Sequence, residues 1–260
     1  MPVETTKIAT WNVNSLKVRF EHVRQWLDAH QPDLLALQET KTRDEHFPEA
    51  ALAELGYRAV YAGQKSYNGV ALLSREPATD VLTDLPGLDD PQRRVLGATV
   101  GGLRVLDLYV PNGAEVGSDK YDYKLTWLDR LAALIETELT THRDLVVLGD
   151  FNIAPADRDV HDPELWRGKV LCSEPERAAL RRLLALGLSD LFRRLDPETP
   201  GYSWWDYRAA GFRRDRGLRI DLILVSEVLA RRCTRCAVDR EPRGWERPSD
   251  HAPVVAEFAP

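Results

Sequence analysis

The chain of 260 residues carries 35 basic and 41 acidic side chains, which gives a net charge of −6, and 43% of its residues are hydrophobic. This apolar content is enough for a sizeable core and argues against a largely disordered chain. No apolar run approaches the length of a membrane span, and residues 1–7 lack the apolar core of a signal peptide. We therefore expect one compact domain over 1–260, a monomer in the cytosol, and no membrane partner.

Short strands, helices and turns alternate along the chain. Apolar runs predict strands near 7–11, 34–38, 57–62, 69–74, 95–100, 103–110, 144–149, 219–225, 233–238 and 253–258. Helical spacing of apolar residues predicts helices near 17–29, 47–54, 119–139 and 175–186. Because strands outnumber helices, the pattern favours an α/β fold in which sheet packs on sheet with helices outside.

Four of the predicted strands carry carboxylate, amide or imidazole groups at one end. In chain order these groups are Asn12, Asn14, Glu39, Asp150, Asn152, Asp250 and His251. Strand alternation would place Asp150 and Asn152 on one side, with Phe151 turned into the core. A lone Asp or Asn at a strand end is ordinary turn chemistry. Four such ends together indicate a site for a hard divalent cation and a phosphate.

Six segments, spread in order over essentially the whole chain, carry a family resemblance. They are 8–15, 36–41, 109–113, 148–155, 217–222 and 248–253. Together they closely resemble the exonuclease III/AP endonuclease family of the endonuclease–exonuclease–phosphatase superfamily. The resemblance implies a single catalytic domain with a four-layer α/β sandwich of the DNase I-like kind. Two packed mixed β-sheets would then be flanked by helices, with the site at one end.

The same resemblance implies a role for each matching residue. The implied metal site consists of Asn12, Glu39, Asp150, Asn152 and Asp250, and the implied catalytic residues are Tyr109, Asp150, Asn152, Asp221 and His251. Asp150 would orient or deprotonate the attacking water, and Asn152 would stabilise the transition state. Asp221 would orient His251 against the phosphate, because a carboxylate fixes the imidazole tautomer and favours its charged form. Some relatives have Asp at the position of Asn14, so no metal role is assigned to it.

A basic, aromatic stretch before the Asp221 strand is the main candidate for DNA contact. The candidate substrate-binding residues are Asn112, Trp204, Arg213, Arg214, Leu218 and His251, and Arg208, Arg216 and Arg219 are further candidates for phosphate contact. Of Trp204 and Trp205, we expect one to pack in the core and the other to line a pocket. The alternative is a solvated arginine loop over a buried Trp pair.

A second candidate strip for DNA contact follows the 109–113 segment. It consists of Lys120, Tyr121, Tyr123 and Lys124. The alternative is an ordinary helix surface.

The chain has three cysteines, Cys172, Cys233 and Cys236. This low, odd number argues against a disulfide framework, and the single CxxC pair lacks the second pair that a zinc site needs. We interpret all three as incidental.

The resulting hypothesis is a Mg²⁺-dependent DNA repair nuclease, with Mn²⁺ as an alternative ion. It would cleave 5′ to abasic sites and act as a 3′-to-5′ exonuclease and 3′-end-cleaning phosphodiesterase on duplex DNA with abasic sites, nicks or 3′ ends. One alternative is a catalytically weak nucleic-acid-binding regulator of the same fold. Another is a phosphoesterase of the superfamily with a different substrate. The sequence leaves open the balance of the two activities and the number of metal ions.

Overall fold

The computed structural model describes residues 5–260. Its strands are β1 (Thr6–Asn12), β2 (Leu34–Gln38), β3 (Arg58–Ala62), β4 (Val70–Ser74), β5 (Thr79–Leu82), β6 (Val95–Val100), β7 (Leu103–Tyr109), β8 (Leu145–Asp150), β9 (Leu188–Asp190), β10 (Trp204–Trp205), β11 (Gly217–Leu218), β12 (Asp221–Ser226), β13 (Cys233–Val238) and β14 (Val254–Phe258). Its helices are α1 (Leu16–His30), α2 (Glu49–Glu54), α3 (Asp119–Thr141), α4 (Pro163–Trp166), α5 (Glu174–Ala185), α6 (Leu191–Leu195) and α7 (Glu227–Ala230).

Twelve of these strands form two six-stranded mixed sheets. The first has the order β13-β14-β1-β2-β4-β3, and the second has the order β5-β6-β7-β8-β12-β9. Each sheet has one parallel pair near its middle, β1 with β2 and β7 with β8, while the other neighbours are antiparallel. The carboxyl ends of a parallel pair lie at the same edge, so each sheet collects strand ends there.

Three apolar layers hold the sheets and helices together. One face of each sheet packs against the other in an inter-sheet core that includes Ile8, Leu72 and Val146. Helix α1 covers the outer face of the first sheet through Trp26 and its neighbours. Helices α3 and α5 cover the outer face of the second sheet. The order helix, sheet, sheet, helix confirms the predicted four-layer α/β sandwich.

Local sequence signals explain where the two long outer helices begin. The side chain of Ser118 accepts a hydrogen bond from the backbone N–H of Tyr121 and caps α3. Ser173 and Glu176 form a capping box at the start of α5, where Pro175 occupies the first turn. These caps fix the helix starts that lie closest to the polar end of the second sheet.

Gly149 allows β8 to reach that polar end beside β7. Its φ of +135° lies in the region that favours glycine, and a Cβ atom there would lie 2.0 Å from the carbonyl oxygen of Leu108. A larger residue would therefore push β8 away from β7, immediately before Asp150.

All ten predicted strands and four predicted helices are present, with boundaries within two residues of those predicted. The elements that were not predicted are short: β5, β9, β10, β11, α4, α6 and α7. Among residues 5–260, no helix combines the length and the apolarity needed to cross a bilayer.

Candidate active site

The polar strand ends predicted from the sequence meet at one end of the two sheets. In the second sheet, Tyr109 and Asp221 both lie opposite Asp150 in the strand register. In the first sheet, Asn12 lies opposite Gln38, so Glu39 follows directly beside it. The two edges face each other, because Asn12 of the first sheet donates a hydrogen bond to Asp150 of the second.

The backbone is unusual where several of these side chains leave their strands. Asn14, Glu39 and Asn152 have φ values of 44°, 51° and 49°, in the left-handed region that non-glycine residues rarely adopt. Such conformations cost free energy and persist where the surrounding structure enforces them, often at functional sites. For Asn152, the turn lets its backbone N–H donate to Asp150 Oδ1 at 2.9 Å.

Two carboxylates and an imidazole converge at the centre of the site. One ligand atom each from Glu39, Asp150 and His251 lies within 4.8 Å of the other two. The amide Nδ2 of Asn12 donates to Glu39 Oε1 and to Asp150 Oδ2, at 2.9 Å each, and so holds the carboxylates around a common point. Carboxylate oxygens are ligands that Mg²⁺ and Mn²⁺ prefer, so Glu39 and Asp150 fit such an ion.

Lys41 borders this cluster, although it was not predicted as a site residue. Its Nζ lies 2.8 Å from Glu39 Oε2 and donates to Asn14 Oδ1 at 2.6 Å. The residue belongs to the Gln-Glu-Thr-Lys segment that carried the family resemblance, which was the available sequence signal.

His251 is held between two carboxylates. Its Nδ1 lies 2.9 Å from Asp221 Oδ2, and its Nε2 lies 3.8 Å from Asp150 Oδ2. Burial alone would lower the pKa of His251, but the charges of Asp221 and Asp150 outweigh burial and raise that pKa to about 10. Burial raises the pKa of Asp150 to about 7, although the His251 charge opposes the rise. The pairing of His251 with Asp221 that the sequence predicted is present in the structure.

Two amides and a carboxylate form a connected set beside this pair. Asn152 donates through Nδ2 to Asp150 Oδ2 at 3.3 Å and to the carbonyl of Val110 at 3.0 Å. Asn112 donates through its Nδ2 to Asn152 Oδ1 at 3.2 Å. The structure thus brings Asn112, Asn152 and Asp150 together, and Phe151 between the last two is fully buried in the apolar layer under α3.

Tyr109 is the aromatic member of the site. Burial, reinforced by the negative charges of Glu39 and Asp150, raises the pKa of Tyr109 well above its ordinary value. The hydroxyl is therefore protonated at neutral pH and available as a hydrogen-bond donor. The guanidinium of Arg94 lies over the ring, 4.7 Å from its centroid, and donates through Nη1 to the Tyr109 carbonyl at 3.2 Å.

Asp250 lies at the edge of the cluster, not at its centre. Its Oδ1 accepts from Asn14 Nδ2 at 2.9 Å and its Oδ2 accepts from Trp204 Nε1 at 3.0 Å. Burial alone would raise the pKa of Asp250, but the His251 charge and these two hydrogen bonds lower it. Asp250 therefore connects the central cluster with the aromatic segment that was predicted to contact DNA.

The two neighbouring tryptophans differ in burial, and the core packing expected for one of them is found for Trp205. Trp205 is fully buried, whereas Trp204 is half-buried and packs edge to face against Trp166. Leu218, opposite Trp204 in the β10–β11 ribbon, is 0% exposed. The expectation that Leu218 contacts substrate is wrong for this structure, because its side chain offers no surface to DNA. Leu218 instead packs among Val160, Ile220 and other residues beneath Trp204.

The arginines of the basic segment have different environments. Arg213 and Arg214 are exposed, as a phosphate contact requires, and so is Arg216. Arg208 is also exposed, but its guanidinium is paired with Asp206. The proposed phosphate contact by Arg219 is wrong, because its side chain is 1% exposed and forms ion pairs with Asp159 and Asp190, each at 2.7 Å.

The second predicted strip also differs from its prediction. Lys120 is exposed and Tyr123 is half-buried, but Tyr121 and Lys124 are buried. Neither buried side chain can contact DNA, because helix α3 turns them towards the loops beneath the site.

A basic cavity opens beside the central cluster. It has a volume of about 680 Å³ and reaches the site at Lys41. Its lining includes the cations Lys17, Arg43 and Lys65 and the aromatic ring of Phe20. The local charge here is positive although the net charge of the chain is negative, and anionic ligands respond to the local field.

Comparisons with known proteins agree with the site. A model of the Endonuclease/Exonuclease/phosphatase family matches residues 9–251. The chain belongs to the endonuclease/exonuclease/phosphatase family. Exodeoxyribonuclease III of Haemophilus influenzae is 37% identical over 265 residues, which cover 97% of this chain and 99% of the relative.

Two solved structures resemble the chain closely. The 3′ phosphatase NExo from Neisseria, bound to a product DNA hairpin, has a TM-score of 0.97 and 51% identity, covering 98% of this chain and 99% of that one. An AP endonuclease from Archaeoglobus fulgidus has a TM-score of 0.95 and 40% identity, covering 98% of this chain and 100% of that one. The predicted family is confirmed, and the chain is a hydrolytic DNA repair nuclease of this family.

Proposed function

We propose that the protein hydrolyses DNA phosphodiesters with Mg²⁺ or Mn²⁺, cleaving 5′ to abasic sites and removing nucleotides or blocking groups from 3′ ends. The observation that carries this proposal is the convergence of Glu39, Asp150 and His251 within 4.8 Å at the end of the two sheets. Among the similar structures, the AP endonuclease supports the proposed cleavage at abasic sites, and the DNA-bound 3′ phosphatase supports the proposed action on 3′ ends.

The two carboxylates would bind the metal, and Asn12 would position them, because its Nδ2 donates to both and its Oδ1 accepts from the Asn14 backbone N–H. Glu39 and Asp150 are the proposed principal ligands, because Asn12 holds both carboxylates around one point. Asn152 would supply a further oxygen, and Asp250 would support the site from its edge through Asn14. When bound, such an ion supplies positive charge that neutralises the phosphoryl oxygens and assists the leaving oxygen.

The side chains around the cluster would carry out the hydrolysis. Asp150 orients the attacking water and accepts its proton, because its carboxylate lies between Glu39 and His251 at the centre of the cluster. Asn152 and the protonated His251 donate to the phosphoryl oxygens as charge develops on them. Asp221 keeps His251 charged and fixes its Nδ1–H, so that Nε2–H points away from Asp221. Tyr109 adds a hydroxyl donor on the same side as Glu39.

The surroundings of the site support a DNA substrate. The basic cavity at Lys41 and the exposed Arg213 and Arg214 offer positive charge for DNA phosphates. Asn112 is exposed beside Asn152 and would contact a phosphate near the cleavage position. Trp204 would line the pocket that accepts a nucleotide without its base.

One assay tests both activities. Purified protein is incubated with matched duplexes that carry an abasic site, a nick, a recessed 3′ end or no defect, with Mg²⁺, with Mn²⁺ or with EDTA. We expect cleavage of the abasic and 3′-end substrates that stops in EDTA and returns when either ion is added. Full activity after thorough metal removal would contradict the metal-dependent mechanism, and activity on none of the DNAs would contradict the substrate.

A substitution of Glu39 tests the metal ligands. Glu39→Gln removes a charge but keeps the size of the side chain, so the variant should need more Mg²⁺ and should be rescued in part by excess Mg²⁺. An unchanged Mg²⁺ titration would remove Glu39 from the ligand set. The monomeric state, the cytosolic location and the single catalytic domain over 1–260 remain predictions.

A further inference from the structure

We propose that Lys124 is a positioning residue for this hydrolysis, holding the two loops that carry Asn112 and Asn152. The inference rests on the function proposed above. Lys124 lies on α3 and is 0% exposed. Its Nζ donates to the carbonyl oxygens of Asn112 at 3.1 Å and Asn152 at 2.7 Å, and to Glu176 Oε1. One buried ammonium group therefore joins the loop after β7 to the loop after β8.

The two carbonyls belong to the residues whose side chains meet in the site. The Asn112 amide donates to Asn152 Oδ1, and the Asn152 backbone N–H donates to Asp150 Oδ1. The backbone of Asn152 is left-handed, with a φ of 49°. Such a turn needs the surrounding structure to maintain it. Lys124 supplies that support through the backbone, because it donates to the carbonyl oxygen of Asn152 and not to its side-chain amide.

Glu176 fixes the position of the ammonium group. Its carboxylate accepts from the backbone N–H of Leu171 at 3.0 Å and from that of Ser173 at 3.1 Å, in addition to Lys124. The side chain is 0% exposed. Because Glu176 caps α5, the ammonium position is tied to the packing of α3 against α5, and both helices stand behind the site.

The space around Lys124 is closely filled. A Cβ atom on Gly113, which has a φ of +92°, would lie 3.1 Å from Lys124 Cδ. The lysine stem therefore packs directly under the loop that carries Asn112. A longer arginine would not fit without moving this loop. Methionine matches the length of the lysine stem and lacks the charge, so it is the suitable replacement for Lys124.

Positioning affects the rate because the chemistry is sensitive to small displacements. A shift of about 1 Å in a reacting or stabilising group can cost on the order of 10²-fold in rate. Loss of the ammonium group would free both carbonyls at once and let the Asn112–Asn152 pair relax. The alternative is that Lys124 and Glu176 act only on stability, as a buried ion pair.

The experiment separates these two roles with three variants. Lys124→Met leaves the Glu176 charge buried and unpaired, which destabilises the fold. The double variant Lys124→Met with Glu176→Gln removes both charges and should recover much of the lost Tm. The control is Arg104→Met, since Arg104 also forms a buried ion pair with α3, through Glu138 at the end of the helix far from the site. Tm, DNA affinity and the single-turnover cleavage rate are measured for each, well below every Tm.

We expect the double variant to cleave at least about tenfold more slowly than the wild type at saturating protein, with DNA affinity little changed. Arg104→Met should lose Tm and keep the wild-type rate. A double variant that regains both Tm and the wild-type rate would overturn the positioning role. A wild-type protein that cleaves none of the four duplexes with either ion would instead defeat the proposed function, and this role with it.

Discussion

The imidazole Nδ1 of His251 lies 2.9 Å from Asp221 Oδ2, and both side chains are almost completely buried. Asp221 lies directly opposite Asp150 in the β8–β12 register, so the supporting carboxylate and the proposed base belong to neighbouring strands. The distance of 3.8 Å from His251 Nε2 to Asp150 Oδ2 places the imidazole between them. The protonation state of His251 should therefore affect both the stability of the fold and the proposed hydrolysis.

The first prediction concerns stability of the metal-free protein as a function of pH. The pKa of His251 is raised in the folded state to about 10 from an ordinary value of 6.5. A raised pKa means that protonated His251 stabilises the fold, in full below about pH 6.5, and that this contribution is lost as the pH rises to about 10. His251→Asn should therefore lower the free energy of unfolding at pH 6–7 and have a smaller effect near pH 10.

Urea denaturation in EDTA, from pH 6 to pH 10, measures this difference. Comparing the variant with the wild type at each pH cancels the other titrating groups to first order. A difference in the free energy of unfolding that stays constant across the whole range would show that folding does not raise the pKa of His251.

The second prediction concerns the proposed base. Asp150→Asn should lower the single-turnover rate by roughly 10²–10⁴-fold, the usual scale for loss of one acid–base group. DNA affinity should change little, because Asp150 is buried and the proposed phosphate contacts are made by exposed side chains. Asp221→Asn should have a milder effect, since Asp221 acts only through His251. A near-wild-type rate for Asp150→Asn in quench-flow assays would exclude Asp150 as the base.

Strand ends were predictable because their signals are local. Apolar runs located β2, β6 and β13 with the observed boundaries, and the polar residues at the ends of β1, β2 and β8 identified the site edge. Partnerships between distant residues were not predictable in the same way. Arg219 follows a basic run and was expected at the surface, but its partner Asp159 lies 60 residues away in the chain. Lys124 was expected on a helix surface, but its partner Glu176 lies 52 residues away.

The third prediction separates buried from exposed arginines. Arg219→Ala leaves Asp159 and Asp190 without their buried partner and should cost about 3–5 kcal/mol of stability, the usual scale for breaking a buried ion pair. The double variant Arg213→Ala/Arg214→Ala should leave Tm nearly unchanged, because both residues are exposed.

In DNA binding we expect the reverse order, with the larger effect for Arg213→Ala/Arg214→Ala and the smaller effect for Arg219→Ala. If Arg213 and Arg214 each contact a phosphate, their replacement should reduce the slope of log affinity against log salt by about 1 per contact. The loss should be similar on abasic and recessed-end duplexes, since phosphates carry no lesion information. An unchanged salt slope would show that this loop lies outside the DNA contact.

The last prediction concerns recognition of an abasic site. A nucleotide without a base costs less to extrude from the helix than a normal one, so a pocket that accepts the extruded sugar can select it. Trp204 is positioned for this role, because it is half-buried at the edge of the cluster and its ring packs against Trp166. The Nε1 of Trp204 also donates to Asp250, so replacing Trp204 by alanine removes both the aromatic ring and this hydrogen bond.

Two substitutions of Trp204 separate the ring from that hydrogen bond. Trp204→Ala should lower kcat/KM on abasic duplexes at least about tenfold more than on recessed 3′ ends, a difference of about 1.4 kcal/mol. Trp204→Phe keeps an aromatic face but loses the donor to Asp250, so it should preserve the abasic preference while lowering both activities modestly. Both variants are compared on matched duplexes at one salt concentration. Equal losses on the two substrates for Trp204→Ala would show that the tryptophan supports Asp250 and does not recognise the lesion.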